Sequence, residues 1–218
     1  MKLNTTIIFG LIASTVLLLS DIVIHKASIG LIHNSEKNIH IIAPAGVLND
    51  TKNAKNIANN VLSELNDGKF KVNGATIDLC GKQTHVFSIG INKYKNNMNA
   101  LNYAVSDAKK VPFAIQSSCA NSSIQILLDD AANRENIMTN LKKLFDNVKN
   151  GDTVVVYYSG HGIDLGDSKA ILPFDTSPND KKRAITLDTI VNIFKVKTLK
   201  AKLFIFVDAG FYREPQDR

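Results

Sequence analysis

Two stretches of the sequence end in residues that can do chemistry. The first is the hydrophobic run 154–158, which leads into a Ser-Gly-His-Gly turn containing His161. A histidine in such a turn can accept or donate a proton near neutral pH. The second is the hydrophobic run Lys202–Asp208, in which the acid Asp208 comes directly before Ala-Gly. A proton-transfer group and an acid at the ends of two hydrophobic runs define a candidate site.

Both runs are typical of strands buried on both faces of a parallel sheet, because they are unbroken and rich in β-branched and aromatic residues. The glycines beside His161 permit a sharp turn that leaves the imidazole uncovered at the carboxyl end of its strand. Ligands bind at that end of the strands in open α/β sheets. Taken by itself, His161 can also be a solvated loop residue, but the second stretch favours the functional interpretation.

Strands and helices alternate from residue 84 onwards. Strands are predicted at 85–92, 123–128, 154–158 and 202–208, and a hairpin or edge strand at 169–175, which contains Pro173. Helices are predicted at 100–115, after Asn133 and after Thr186, with these two residues as caps and with Pro112 expected to bend or end the first helix. This alternation predicts an α/β fold, a largely parallel sheet with helices on both faces.

The composition suits one globular domain with an appendage, since 44% of the 218 residues are hydrophobic. The net charge is +6, but the lysines are scattered and not interleaved with aromatic residues, which argues against nucleic-acid binding. Cys80 and Cys119 are too few for a disulfide framework or a metal cluster, and no other metal-ligand cluster is present in the sequence. Whether they form one bridge stays open.

The first 24 residues predict an export signal or a membrane anchor. Residues 7–19 are uncharged and apolar, which is short for a transmembrane helix but sufficient for a signal-peptide core. Cleavage and a lasting membrane tether through residues 5–24 are both open. The chain is therefore expected to be exported: periplasmic, secreted or membrane-anchored. Residues 25–81 are predicted to be a spacer of uncertain structure, with a strand at 39–43, a helix at 52–65 and a turn at 66–68.

The order of these motifs resembles the caspase-like cysteine peptidases, and within them the bacterial metacaspase-like branch. The resemblance rests on the Ser-Gly-His-Gly turn, the Leu-Pro-Phe-Asp hairpin at 172–175, the Asp-Ala at 208–209, and the segments 89–94 and 101–108. It covers residues 84–213 and implies a caspase-like p20 domain, assigned to 82–218, without the small p10 part. Without p10 strands beside it, the strand 202–208 is expected to be an exposed, aggregation-prone edge.

The resemblance also implies roles for single residues. It assigns His161 to the histidine of a Cys-His dyad, in which a thiolate attacks the scissile carbonyl. The cysteine position is occupied by Gly210. Asp107, Ser159 and Asp208 match positions that line an acidic pocket for arginine or lysine, where paired carboxylates suit a cation. Without the resemblance, Asp107 is a surface acid on a helix and Asp208 a turn-capping carboxylate.

The function expected from the family is hydrolysis of peptide bonds after arginine or lysine, with basic peptides or proteins as partners. Because Gly210 has no side chain, the chain as written is expected to be an inactive, truncated pseudoenzyme. Three alternatives are kept. The chain is a peptide-binding or scaffold pseudo-peptidase, a decayed gene product, or an engineered, mis-sequenced or frame-shifted copy of an active enzyme, which would explain Gly210 and the early C-terminus. No cofactor is expected, and calcium enters by family analogy only.

An α/β pattern alone also suits a flavodoxin-like domain. The loop 93–97 after the first predicted strand lacks the glycines or hydroxyl-rich residues that cradle phosphate, which argues against that alternative.

Overall fold

The computed structural model describes residues 29–33, 39–44, 65, 67–72, 75–95, 98–177, 181–195 and 200–212. The strands in chain order are β1 (Ile29–His33), β2 (Ile39–Pro44), β3 (Lys69–Val72), β4 (Ala75–Asp78), β5 (Thr84–Gly90), β6 (Ser122–Leu128), β7 (Thr153–Ser159), β8 (Gly162–Asp164), β9 (Lys169–Ile171), β10 (Ile185–Thr186), β11 (Lys202–Asp208) and β12 (Phe211–Tyr212). The α-helices are α1 (Ala104–Ser118), α2 (Arg134–Asn147) and α3 (Leu187–Lys195).

The main sheet has six strands in the order β1-β2-β11-β7-β5-β6. Every neighbouring pair is parallel except β1 and β2. All seven residues of β7 are buried, as expected for an interior strand with both faces covered. The predicted, mostly parallel α/β sheet is confirmed.

Helices cover both faces of this sheet, which confirms that part of the prediction. On one face, Val111 and Ile115 of α1 pack with Tyr157 of β7. On the other face, α2 and α3 pack in one core with Val154 and Val156. The buried residues that these two helices contribute are Ile137, Leu141, Phe145, Leu187, Ile190, Val191 and Phe194. The alternation of side chains along β7 therefore feeds two separate cores, one on each side.

Both predicted helix caps are confirmed. The Asn133 side chain accepts a 2.9 Å hydrogen bond from the N–H of Asn136, and Thr186 Oγ1 accepts one of 3.1 Å from Thr189. Pro112 does not end α1, because the helix continues to Ser118, while the alternative that it bends the helix stays a prediction. Proline offers no N–H to the carbonyl four residues earlier, that of Ala108. Ser88 Oγ donates to this carbonyl instead, at 2.6 Å, and the helix loses little.

A second sheet of four short strands, in the order β10-β9-β8-β12, follows the His161 turn in the chain. The antiparallel pair β8 and β9 confirms the hairpin predicted near 169–175, and β12 runs parallel to β8. This sheet lies next to the carboxyl ends of β7 and β11, since β8 and β12 each begin three residues after those strands end.

The prediction that β11 is an exposed edge was wrong. β2 lies parallel to it, from Leu203 opposite Ile39 to Phe206 opposite Ile42, and β1 adds a further antiparallel strand. The segment assigned to a spacer thus supplies two strands of the main sheet, and the strand predicted at 39–43 is confirmed. Residues 1–28 and nearly all of the predicted helix 52–65 lie outside the described residues. Within the described ranges, no helix has the length and apolarity to cross a membrane.

Cys80 and Cys119 are joined by a disulfide, with their Cα atoms 5.4 Å apart. Cys119 caps the carboxyl end of α1, and Cys80 follows the two-stranded sheet β3-β4. The bridge ties the segment before β5 to the end of α1, which settles the alternative that the sequence left open.

Candidate active site

His161 lies in the turn between β7 and β8, and two tyrosines hold its backbone. Its N–H donates to the Tyr94 hydroxyl at 2.7 Å, and its carbonyl accepts from the Tyr158 hydroxyl at 2.6 Å. The two hydroxyl oxygens are 3.2 Å apart. The Leu172 N–H donates to the same carbonyl at 3.0 Å. The turn is therefore fixed on both sides by buried groups.

The glycines of this turn are needed for close packing. A Cβ atom on Gly160 would lie 2.4 Å from Tyr158 Oη and 2.6 Å from Tyr94 Oη, and one on Gly162 would lie 2.7 Å from the Phe211 ring. Neither glycine has the positive φ that usually demands this residue. The sequence pattern attributed these glycines to the backbone angles of a sharp turn, whereas in the structure the reason for glycine is the close approach of aromatic side chains.

The loop after β5 carries the groups that meet the His161 ring. The N–H groups of Asn92 and Lys93 donate to Asp129 Oδ1 at 2.8 and 3.1 Å, which anchors the start of this loop. Further along it, the Asn99 carbonyl lies 2.7 Å from His161 Nε2. Because a carbonyl only accepts, Nε2 must carry the proton, and Nδ1 of the neutral imidazole is an acceptor.

The environment of His161 favours the neutral imidazole. Burial lowers its pKa below the usual 6.5, and the hydrogen bond to the Asn99 carbonyl, which favours the charged form, offsets only part of this effect. The Tyr94 ring packs against the imidazole with 5.0 Å between centroids. At neutral pH His161 is thus a fixed, neutral base with Nδ1 ready to accept a proton.

Gly210 lies beside the His161 turn. The Gly160 N–H donates to the Asp208 carbonyl at 3.4 Å, and the Gly162 N–H donates to the Gly210 carbonyl at 3.3 Å. Position 210 is exposed, and it is not among the described glycines with positive φ. A side chain at position 210 would therefore reach solvent at the same sheet edge as His161, without backbone strain.

The three predicted pocket residues come together around the hydroxyl of Tyr157. Asp208 and Ser159 are register partners on β11 and β7, and Asp208 Oδ2 accepts from Tyr157 Oη at 3.1 Å. Burial raises the pKa of Tyr157 well above 10, and the charges of Asp208 and then Asp107 raise it further, against a smaller opposing hydrogen bond from Ser159. Asp208 therefore contacts the buried phenol directly, and Asp107 and Ser159 lie near enough to influence its pKa.

Sequence reasoning missed four residues of this site: Tyr94, Asn99, Tyr157 and Tyr158. The two neighbouring tyrosines were counted as hydrophobic members of a strand. A buried tyrosine needs a partner for its hydroxyl, and that requirement was the available signal. Asn99 acts through its carbonyl, which no side-chain pattern can reveal.

Asp175, the acid that ends the Leu-Pro-Phe-Asp motif, has a structural role outside this cluster. It accepts from the N–H of Arg134 at 2.9 Å and from the Arg183 guanidinium. Although burial opposes its charge, these hydrogen bonds hold the pKa of Asp175 below its usual range. The acid thereby joins the hairpin to the first turn of α2, where a negative charge is favourable. In the described part of the chain, no three His, Cys, Asp or Glu residues are grouped as a metal site.

The sequence of the chain matches a known protein family. The family model described as metacaspase, peptidase C14 domain, matches residues 85–212, more than half of the chain. No curated protein matches the chain significantly. Among solved structures, the chain is similar to that of protein GSU0716 from Geobacter sulfurreducens, with 19% identity and a TM-score of 0.47, over 58% of this chain and 50% of that one. The chain thus spans about half the length of that protein.

Proposed function

The chain belongs to the metacaspase, peptidase C14, family. We propose that it is a cysteine endopeptidase domain that, with this sequence, does not hydrolyse peptides. The observation that carries this proposal is Gly210, exposed at the sheet edge beside His161, where the family resemblance requires the nucleophilic cysteine. In this proposal the loss lies in one side chain, and His161, held by Tyr94 and Tyr158, would serve as the base.

A thiol at position 210 would have a defined reaction. Its proton would pass to His161 Nδ1, and the sulfur would bond to the carbonyl carbon of the scissile bond. The C–N bond would then break as the amine leaves with that proton, and water would release the acid and restore the thiol. Glycine offers no atom for either step. The chain's two cysteines, Cys80 and Cys119, are bonded to each other and cannot take over this role.

The acidic cluster, formed by Asp107 and Asp208 near Tyr157, supports a second candidate function, the binding of basic peptides without cleavage. Asp107 and Asp208 lie close enough to Tyr157 for their charges to raise its pKa. Two neighbouring carboxylates favour a guanidinium or ammonium group through charge-assisted hydrogen bonds. This pocket chemistry does not depend on the nucleophile, so binding can persist where catalysis is lost.

Fluorogenic peptides ending in arginine or lysine test the first proposal, with and without calcium. The wild-type chain should be silent and Gly210→Cys should show turnover, which His161→Ala in that background should abolish. A peptide ending in aspartate is the substrate control and should stay uncut. Wild-type turnover that His161→Ala removes would overturn the proposed inactivity, and silence of folded Gly210→Cys would overturn the claim that one side chain is missing.

Calorimetry with an arginine peptide tests the binding function. The peptide should bind the wild-type chain, Asp208→Asn should weaken binding, and a citrulline peptide of the same shape should not bind. Asp188→Asn is the matched control, because Asp188 belongs to α3 on the opposite face of the sheet. Absence of binding at millimolar peptide would refute this function.

We also propose that the chain works outside the cytoplasm. The apolar segment 7–19 and the Cys80–Cys119 bridge support this, since disulfides persist mainly in oxidising compartments. Cells expressing the full chain can be quenched with a maleimide and run on a non-reducing gel. An exported chain should remain unmodified at both cysteines, whereas modification of both would contradict export.

A further inference from the structure

The edge of the main sheet opposite His161 carries a second group of polar side chains, formed by Ser123, His85 and Asp152. Ser123 Oγ lies 3.1 Å from His85 Nδ1, and His85 Nε2 lies 3.3 Å from Asp152 Oδ2. The length of β7 separates this group from the His161 turn, about 20 Å for seven residues. The proposed peptidase reaction makes no use of it.

The sheet itself aligns the three residues. His85 and Ser123 are register partners on β5 and β6, so their side chains point to the same face. Asp152 directly precedes β7, the other neighbour of β5. Its carboxylate also accepts from the N–H of Lys149 at 2.8 Å and of Gln83 at 3.3 Å. The acid is therefore held in place by backbone donors as well as by the imidazole.

The hydrogen bonds determine where the proton of the neutral imidazole lies. Carboxylate oxygens accept, and Asp152 also accepts from two backbone N–H groups, so we place the imidazole proton of His85 on Nε2. Nδ1 then presents its lone pair to the hydroxyl of Ser123. This is the sequence of nucleophile, base and orienting acid found in serine hydrolases, with the two ring nitrogens exchanged.

Solvent exposure rises from Asp152 through His85 to Ser123, as it must where the nucleophile has to meet a substrate. The side chain of Asp152 is 7% exposed and that of His85 is 12% exposed, whereas Ser123 is open to solvent. In the described part of the chain β6 is the last strand of the sheet, so its outer N–H groups face away from β5. Such groups can donate to a carbonyl oxygen that develops negative charge.

We propose that Ser123 is a nucleophile that takes the acyl group of small carboxylic esters, with His85 as general base and Asp152 as the positioning residue. In the first step Ser123 Oγ bonds to the acyl carbon and its proton passes to His85 Nδ1. The ester C–O bond breaks, and the leaving alkoxide takes that proton. Water then attacks the acyl-serine by the same route, which releases the acid and regenerates the hydroxyl.

The purified full chain is treated with a fluorophosphonate, which modifies nucleophilic serines, and the modified residue is located by mass spectrometry. Release of nitrophenolate from 4-nitrophenyl acetate is followed in parallel. The adduct should lie on Ser123 and disappear in Ser123→Ala. Labelling should fall about a hundredfold in His85→Gln, the usual scale of a lost general base. Asp152→Asn should slow it as well.

Two controls separate this site from nonspecific reactivity and from the peptidase site. Ser122→Ala should leave labelling unchanged, because Ser122 neighbours Ser123 on β6 but its buried oxygen lies on the opposite face. His161→Ala should also leave it unchanged. The proposal is overturned if folded wild-type chain gains no adduct on Ser123. It is equally overturned if folded His85→Gln and Asp152→Asn both label at the wild-type rate.

Discussion

The backbone N–H of His161 donates a 2.7 Å hydrogen bond to the hydroxyl of Tyr94, and the ring of the same tyrosine packs 5.0 Å from the imidazole. Tyr94 thus fixes both the backbone and the ring of the candidate base. It does so from the loop after β5, which is the sheet neighbour of β7, the strand that leads into the His161 turn. The position of the base therefore depends on a residue far away in sequence.

Tyr94→Phe keeps the ring and removes the hydroxyl group. The His161 N–H then loses its partner in a partly buried turn, so the free energy of unfolding should fall by about 1–3 kcal/mol. Turnover by Gly210→Cys should also fall when Tyr94→Phe is added, since the base is less well fixed. Urea denaturation and the fluorogenic assay measure the two effects.

Tyr103→Phe provides the matched control. Tyr103 is 55% exposed, and loss of its hydroxyl should change stability by less than about 0.5 kcal/mol. Equal losses of stability in the two variants would contradict a specific role for Tyr94.

The lowered pKa of His161 predicts a pH dependence of stability. Burial disfavours the imidazolium in the folded chain, so the unfolded chain binds its proton at a higher pH, near 6.5. Stability should therefore fall as the pH drops through about 6.5 towards the folded pKa. His161→Gln should remove this part of the dependence in denaturation curves between pH 5 and 7. An NMR titration of the His161 ring with a midpoint above 6.5 would contradict the assignment.

The central strands could be predicted from the sequence because an unbroken hydrophobic run of that length is typical of a buried strand. The run Lys202–Asp208 is unbroken and rich in branched and aromatic residues, and it matches β11 residue by residue. Asn133 likewise predicts the start of α2, because its side-chain oxygen satisfies a free N–H of the first turn. These signals are local, and each depends on only a few neighbouring residues.

The features that sequence reasoning missed depend on partners from distant segments. The pairing of β2 with β11 joins strands that are far apart in the sequence. The hydrophobic pattern of a strand does not determine which other strand it pairs with. The roles of Tyr94 and Tyr157 likewise depend on His161 and Asp208, which other strands bring near. Pro112 was misjudged because the Ser88 hydroxyl that compensates for it lies on β5.

Tyr157→Phe tests the buried phenol of the acidic cluster. In the unfolded chain a tyrosine loses its proton near pH 10, whereas burial and the charges of Asp208 and Asp107 keep Tyr157 protonated to much higher pH. The folded chain thus holds a proton that the unfolded chain has lost, so stability falls as the pH rises above about 10. Tyr157→Phe should make this fall shallower by up to about 1.4 kcal/mol per pH unit. Parallel curves for the two proteins between pH 9 and 11 would contradict the raised pKa.

The disulfide predicts a redox-dependent stability. Cys80 and Cys119 are separated by 39 residues, and closing a loop of that size in the unfolded chain is worth about 4 kcal/mol in the chain-entropy model. Cys80→Ser combined with Cys119→Ser should therefore lower the free energy of unfolding by an amount of that order. Dithiothreitol should destabilise the wild-type chain but leave the double variant unchanged. Destabilisation of both proteins by the reductant would contradict the bridge.

The pairing of β2 with β11 can be tested through the backbone amides of β11. Alternate N–H groups of a parallel interior strand point to its two neighbours, so part of the β11 amides donate to β7 and part to β2. Ile41 lies in the middle of β2, opposite Ile205 of β11 and Ile32 of β1.

Ile41→Pro removes a ladder donor from β2 and disrupts its pairing on both sides. In hydrogen exchange followed by NMR, the β11 amides that face β2 should lose protection, whereas those that face β7 keep it and serve as the internal reference. The freed edge should also promote concentration-dependent association, because an unpaired strand accepts another. Ile41→Val retains the N–H and should behave as the wild-type chain. If all β11 amides exchange alike in Ile41→Pro and in the wild-type chain, the hairpin does not cover β11 in solution.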